Sequence, residues 1–487
     1  MSDREKPDDL AASAERFDVI VIGGGPAGQK AAIQAKKAGK KVFLVDEAEG
    51  VGGECVRRGT IPSKTLRETA MAIRSFPERT GGSFPLTIEP GLELESLLRR
   101  METVVDAHMK LAAEQLGRNG VEVSRGRAKF VATKVIEVRT PNAGPLLVTA
   151  EIIVLAAGSR PRAPEAIAVD HEFILDSDSI LSLTHLPASL TVLGAGVIAT
   201  EYASIFSALG TRVTMIDRGT RPVSFLDPEL TGAFLDEFER QDGRFIGGAS
   251  GYEVRSDGID GVVVRLASGE EIRSERMLVT LGRVANVKGL ALEVAGVVLD
   301  SRGLVPVDEH CETCVPGIYG VGDIVGPPAL ASSAMEQARR AMRHALRLSH
   351  ENTFEVMTMA VYAIPETSSV GLSEEQARAK YGSAITGRAN FREIARGHIA
   401  ATRGGFLKLV ADAEGKVIVG AQIVGESAAE LIHVAQMAIL GKQSVEVFTD
   451  NVFNFPTLAE AYRVAALDLI ARRTCVEALD DLSLSAE

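Results

Sequence analysis

Apolar residues in this chain fall into short runs closed by glycine-rich turns, and twice such a run passes into a helical repeat. Phe17 to Ile22 (FDVIVI) is a β-branched run of the kind buried on both faces of a parallel sheet. It enters Gly23-Gly24-Gly25-Pro26-Ala27-Gly28 and then an alanine-rich helical stretch. A second strand over Lys41 to Val45 ends in Asp46, 21 residues after Gly25. The arrangement returns at Leu190 to Leu193, which leads into Gly194-Ala195-Gly196-Val197-Ile198-Ala199 and a helix opening with Glu201. Its own second strand, Arg212 to Ile216, ends in Asp217, again 21 residues beyond Gly196. Between the two repeats the pattern predicts a helix from Thr65 and a helical region to about Gly117. Strands follow over Val121 to Val138, around a turn at Gly126-Arg127-Ala128, and a buried strand over Ile152 to Gly158 is ended by Ser159-Arg160-Pro161. Met277 to Leu281, then Gly282-Arg283, closes the second repeat. From Phe354 onward strands and helices continue without a glycine fingerprint.

G-x-G-x-x-G between a strand and a helix has a physical purpose. The glycines let the backbone turn and approach a pyrophosphate, which rests on the outward N–H groups of the helix N-terminus, while the acid takes ribose hydroxyls. Two such units predict two bound dinucleotides. Around the second, Asp217 suits the free 2′-hydroxyl of NAD, whereas Arg218 and Arg221 are placed to attract a 2′-phosphate.

Composition narrows the function classes. A formal net charge of −12 argues against a nucleic-acid partner, which needs a basic face. No apolar run reaches the roughly 18 to 20 residues that span a bilayer. The opening MSDREKPDDLAASAER is polar and acid-rich, and residues 1–16 read as a disordered extension rather than a signal peptide. Cysteines at 55, 311, 314 and 475 make no disulfide framework, which points to a reducing cytoplasm. His310-Cys311-Glu312-Thr313-Cys314 offers too few ligands for a metal site and reads as a loop before the next strand.

The stretch VGGECVRRGTIPSKTLRE, Val51 to Glu68, resembles the redox segment of the flavoprotein disulfide reductases. The resemblance extends through GIYGVGD (Gly317 to Asp323), ALASSAMEQARRA, PETSSVG (Pro365 to Gly371) and NFPTLAEAYR (Asn454 to Arg463). It implies an α/β fold of two Rossmann-like dinucleotide-binding domains, the NAD(P) domain inserted in the FAD domain, plus a C-terminal α+β dimerisation domain. The expected boundaries are 17–165 and 285–353 for the FAD domain, 166–284 for the NAD(P) domain, 354–475 for the interface domain and 476–487 for a C-terminal tail.

In that family two cysteines five positions apart cycle between dithiol and disulfide. Here the first is Cys55 and the second is Thr60, and a hydroxyl cannot form a disulfide. The family's H-P-T-x-x-E acid–base pair is matched by Phe455-Pro456-Thr457-Leu458-Ala459-Glu460, with phenylalanine in place of the histidine, and no histidine follows His433. One sulfur and the base are therefore missing together. The GTIPSK form resembles the soluble (Si-specific) pyridine nucleotide transhydrogenases of this family. That resemblance implies a homodimeric FAD enzyme passing hydride between NADPH and NAD⁺ in turn at one nicotinamide site. A diaphorase acting on quinones or metals, or a non-catalytic flavin-bound redox sensor, remains open at this point.

The resemblance assigns Gly23, Gly25, Gly28 and Asp46 to FAD, Lys64 to the flavin N5 side paired with Glu201, and Asp323 to the ribityl chain. The helix from Ala331 would aim its positive end at the flavin pyrimidine edge. Thr60 is expected over the flavin and Cys55 as a packed thiol. Glu47, Gly52, Gly53, Ala128, Gly158 and Gly282 complete the expected cofactor-binding positions, beside Gly194, Gly196 and Ala199 for the nicotinamide nucleotide.

Overall fold

A computed structural model describes residues 7–81, 94–141, 143–256, 258–259, 261–348, 356–402 and 404–484. The first residues of the expected extension (1–6), the expected boundary at 353/354 and the last residues of the expected tail (485–487) lie outside these. Two compact units form. The first is drawn from Met1–Thr65, Ser96–Ala166 and Leu281–Asn352, the second from Leu66–Glu95, Ile167–Thr280 and Thr353–Glu487.

In the first unit the fingerprint strand Glu15–Ile22 lies between Val42–Asp46 and Leu146–Leu155, parallel to both. Its last six residues are all apolar but Asp18, and four of its last five positions are buried, as a central parallel strand requires. The strand begins two residues before Phe17 because the ten-residue partner Leu146–Leu155 offers pairing back to Glu15↔Val148. Just before it, Pro7–Ser13 is helical, where the sequence predicts a disordered extension. Ile318–Gly320 adds on the far side of Leu146–Leu155, bringing a late piece of chain into the sheet.

The stretch 121–138 forms strands on both sides of Gly126, as expected, with partners that the sequence does not show. Glu122–Arg125 pairs in parallel with Val42–Asp46, whereas Arg127–Ala132 and Val135–Arg139 form the hairpin. Gly126 donates its N–H to Asp46 O at 2.8 Å and is the bend at which the chain passes from the parallel pairing to the hairpin. A local hydrophobic pattern marks strands but cannot say which partner each one takes.

The second unit contains the parallel sheet of the second fingerprint, with Ser189–Leu193 between Arg212–Ile216 and Arg276–Val279. It also contains an antiparallel five-stranded sheet running from Thr358–Val361 to Ile385–Asn390. The final helix, Glu460–Leu484, packs Ala461, Tyr462, Ala465 and Leu469 into the core of that module. It continues past residue 476, where a tail is expected, because no glycine or proline interrupts it. The helix expected from Thr65 starts at Thr60, since Pro62 is tolerated in a first turn whose N–H groups lack helical partners.

Candidate functional site

The first fingerprint is shaped by backbone crowding. Gly23 has φ +109°, and a Cβ there would stand 2.2 Å from Ala156 O. At Gly28 a Cβ would meet Gly23 O at 1.9 Å, so the helix Pro26–Lys37 can press against its own turn only without a side chain. Gly25 precedes this helix, whose first residue is Pro26. Over this turn folds the Gly52-Gly53 pair: Gly52 N–H donates to Gly24 O at 2.9 Å, and a Cβ on Gly53, at φ +63°, would come within 2.6 Å of Gly25 Cα. Backbone thus lies on backbone around a helix N-terminus, which is the surface a pyrophosphate needs.

Asp46 is buried and accepts hydrogen bonds from Gly24 N (2.6 Å) and Ala48 N (2.9 Å). It therefore fixes the turn, and a carboxylate has further lone pairs for a ribose. Glu47 is exposed and ion-paired with Arg127 at 3.0 Å. The Ala128 methyl belongs to the hydrophobic core below the sheet, leaving only its backbone for a cofactor. Gly158, at φ +69°, accepts the N–H of Asn286 at 2.9 Å.

Cys55, Thr60, Lys64 and Asp323 come together. Cys55 lies in the short helix Gly53–Arg57, and its thiol is hydrogen-bonded with the Thr60 side chain. Burial pushes the thiol above its ordinary pKa. The Thr60 hydrogen bond and the Lys64 charge pull in the other direction, and Asp323 adds to the rise. A thiol held protonated is a poor nucleophile. Lys64 Nζ also donates to Ser63 Oγ at 3.3 Å. Asp323 accepts from Ser159 Oγ at 2.6 Å, and Ser159 in turn accepts from Arg283 Nε at 2.8 Å. Sequence reading noted Ser159 and Arg283 only as strand terminators; no local signal links residues 124 positions apart. Gln337 was missed likewise; its side-chain oxygen accepts the N–H of Gly322 at 2.8 Å.

The helix Ala331–Ala345 lies along Pro26–Lys37 through an alanine seam that includes Ala27, Ala31, Ala35, Ala334, Ala338 and Ala341. A Cβ at Gly322 would touch both Ala27 and Ala334, at 3.6 and 3.4 Å, so the first turns of both helices converge beside Gly322-Asp323. Two positive helix ends and a glycine cradle fit an anionic dinucleotide such as FAD. Gly282, one of the expected cofactor-binding positions, belongs to this unit, where its carbonyl accepts Arg162 N–H at 3.0 Å.

In the second unit Gly194, at φ +112°, would place a Cβ 2.6 Å from Thr280 Oγ1. Gly196 precedes the helix Val197–Ala208, and Ala199 is fully enclosed on it. Asp217 accepts from Gly219 N at 2.6 Å, holding the loop that carries Arg218 and Arg221. Arg221 Nη2 donates to Ser224 O at 2.8 Å, while its Nη1 is buried without a hydrogen-bond partner. This orphan donor beside an Asp-closed loop suits a 2′-phosphate.

Glu201 is buried, and its carboxylate accepts Tyr362 N–H at 2.9 Å. One turn on, Ser204 Oγ accepts from Ile364 N at 3.0 Å. Arg67 clamps the same segment, with Nε on Ala363 O at 3.0 Å and Nη2 on Glu366 at 2.9 Å. Phe455 is 74% exposed, and Glu460 reaches Thr457 N at its own helix start, so neither forms an acid–base pair within the chain.

Residues 17–345 match the family model of the pyridine nucleotide-disulphide oxidoreductases, and residues 357–466 match the dimerisation domain of the same family. A soluble pyridine nucleotide transhydrogenase of Mycobacterium bovis (strain BCG / Pasteur 1173P2) is 39% identical over 459 residues, covering 93% of this chain and 97% of the relative. One from Pseudomonas putida (strain GB-1) is 39% identical over 465 residues, covering 94% and 98%. Among solved structures, LpdA from Mycobacterium tuberculosis superposes with a TM-score of 0.85 at 26% identity, over 93% of this chain and 99% of that one.

Proposed function

The chain belongs to the pyridine nucleotide-disulphide oxidoreductase family, and from that premise we propose that it is a homodimeric transhydrogenase that equilibrates NADPH + NAD⁺ with NADP⁺ + NADH. FAD, when bound, supplies a two-electron hydride store, so one nicotinamide site can serve both nucleotides in turn.

The observation that carries the reading is the partner of Cys55. Where a dithiol relay needs a second sulfur, Cys55 meets the Thr60 hydroxyl, and burial holds its thiol protonated. The chain's contribution is then binding, orientation and charge. Gly23, Gly25, Gly28, Gly52 and Gly53 offer a backbone cradle for a pyrophosphate, and Ser159 and Arg283 orient Asp323. Lys64 supplies positive charge beside Cys55 and Thr60, where a gain of negative charge is stabilised. Gly194, Gly196 and Ala199 would receive the nicotinamide nucleotide, with Asp217 for a free ribose and Arg218 and Arg221 for a 2′-phosphate. Val452, Phe455 and Met437, apolar and more than half exposed, belong to the module matching the dimerisation domain and suit a partner's surface.

Stopped-flow mixing tests this directly. NADPH should bleach the flavin absorbance, NAD⁺ should restore it, and steady-state double-reciprocal plots should be parallel. Intersecting plots with a ternary complex of both nucleotides would refute the single-site scheme. Rapid turnover with an artificial acceptor but no transfer between nucleotides would refute transhydrogenation itself.

A further inference from the structure

The second unit holds a cavity of about 390 Å³ outside the nucleotide fingerprint, walled by the helices Thr60–Arg79 and Pro228–Arg240 and by the C-terminal module. Its volume lies within the roughly 300–1,000 Å³ of small-molecule sites. Six arginines line it against four carboxylates, in a chain whose net charge is −12.

Internal pairing does not use up this positive charge. Arg67 is consumed by Glu366, and Arg79 by Glu426 at 3.2 Å. Arg388 is held by Glu229 at 2.7 Å and stacks on Phe406. Arg74 and Arg240, however, share the single carboxylate of Glu237, and Arg74 Nη1 is buried without a hydrogen-bond partner. Arg392 stands 3.9 Å from Glu393, beyond hydrogen-bonding reach, with 72% of its side chain exposed. The fourth carboxylate, Asp236, opposes this excess. Two guanidinium groups with spare donors line the same cavity, and a phosphoryl group, with three oxygens and up to two negative charges, can accept from both where a carboxylate offers two oxygens and one charge.

We propose that this cavity is a second ligand site that binds a small phosphate-bearing anion, with Arg74 and Arg392 as its principal donors. The site is separate from the fingerprint loop carrying Arg218 and Arg221, and a ligand there would sit against Arg67 and Glu366, which fix the segment that reaches Glu201.

Titration calorimetry of the FAD-loaded protein, with the nicotinamide site first saturated by NADP⁺, tests the proposal using inorganic pyrophosphate as probe and inorganic phosphate as the second arm. Saturable pyrophosphate binding is expected. Arg74→Gln/Arg392→Gln should weaken it by about tenfold or more, the loss of charge-assisted hydrogen bonds. Asp236→Asn should tighten it, a gain that misfolding cannot mimic. Arg392→Gln alone, on an exposed side chain, guards against a folding defect in the double variant and should also weaken binding. Retention of binding in Arg218→Ala/Arg221→Ala would support a site distinct from the nucleotide loop. Absence of saturable binding by the wild-type protein, an unchanged affinity in Arg74→Gln/Arg392→Gln, or loss in Arg218→Ala/Arg221→Ala would overturn the proposal.

Discussion

Replacing Arg67 by methionine should destabilise the second unit far more than an ordinary charge removal. Both partners of its ion pair are under 10% exposed, and they meet at 2.9 Å, with Arg67 Nε also donating to Ala363 O. Glu366 is tied to the Ala429 N–H at 2.5 Å, so it cannot swing out to water without losing that bond as well. Removing the guanidinium leaves a buried, uncompensated carboxylate, which costs about 3–5 kcal/mol. Adding Glu366→Gln on top should recover about 2 kcal/mol, because the amide oxygen still accepts from Ala429 while the charge is gone. The pH dependence has a definite sign. Burial already raises the Glu366 pKa, against the opposing pull of Ala429 N–H and Arg67, and loss of Arg67 raises it further. The folded variant then binds a proton more readily than the folded wild type. Its deficit should shrink as pH falls through the raised Glu366 value and grow again towards neutrality. Urea denaturation followed by far-UV circular dichroism, read as midpoint shifts at constant slope, measures each quantity. A single-variant cost below about 1 kcal/mol, or a double variant no more stable than the single, would refute the reasoning.

Thr60→Cys should restore a dithiol facing Cys55 but not turnover with dihydrolipoamide or glutathione disulfide, since Phe455 carries no proton; substantial disulfide turnover would end the role given to that position. Gly53→Ala should yield protein depleted of FAD, because the added methyl stands 2.6 Å from Gly25 Cα; a full flavin complement by absorbance would contradict this. Arg218→Ala/Arg221→Ala should weaken NADPH about tenfold or more while sparing NADH, the equivalent of roughly 1.5–3 kcal/mol for a charge-assisted contact. Equal losses in a direct binding titration would show that these arginines do not read the 2′-phosphate.

The two fingerprints were legible because strand, turn and helix are contiguous, even though the crowding that demands glycine at 23 and 194 comes from Ala156 and Thr280, far along the chain. Thr60 was legible for a different reason: a single substitution in a motif is visible without any fold. Partnership was not. The parallel pairing of Glu122–Arg125 with Val42–Asp46 reads locally like one arm of a hairpin. Ser159, Arg283 and Asp323 form a relay across 164 positions, and Arg67 meets Ala363 across 296, distances at which hydrophobic periodicity carries no information. Arg74 and Arg392 are ordinary helix and loop arginines until the fold sets them around one cavity.

The alanine seam has a bearing on how the protein is made. The strand and turn of the first fingerprint leave the ribosome early, yet the cradle is completed by Asp323 and the helix Ala331–Ala345. With synthesis at about 5–20 residues per second, the roughly 300 intervening residues take some 15–60 s. Throughout that interval Ala27, Ala31 and Ala35 lack the helix that covers them, and the inserted second-unit sequence emerges in between. Flavin capture is therefore a late event in the life of each chain, completed after most of the polypeptide exists, and until then the nascent protein is an apoprotein whose first sheet still lacks Ile318–Gly320 and whose closing helix is still to come.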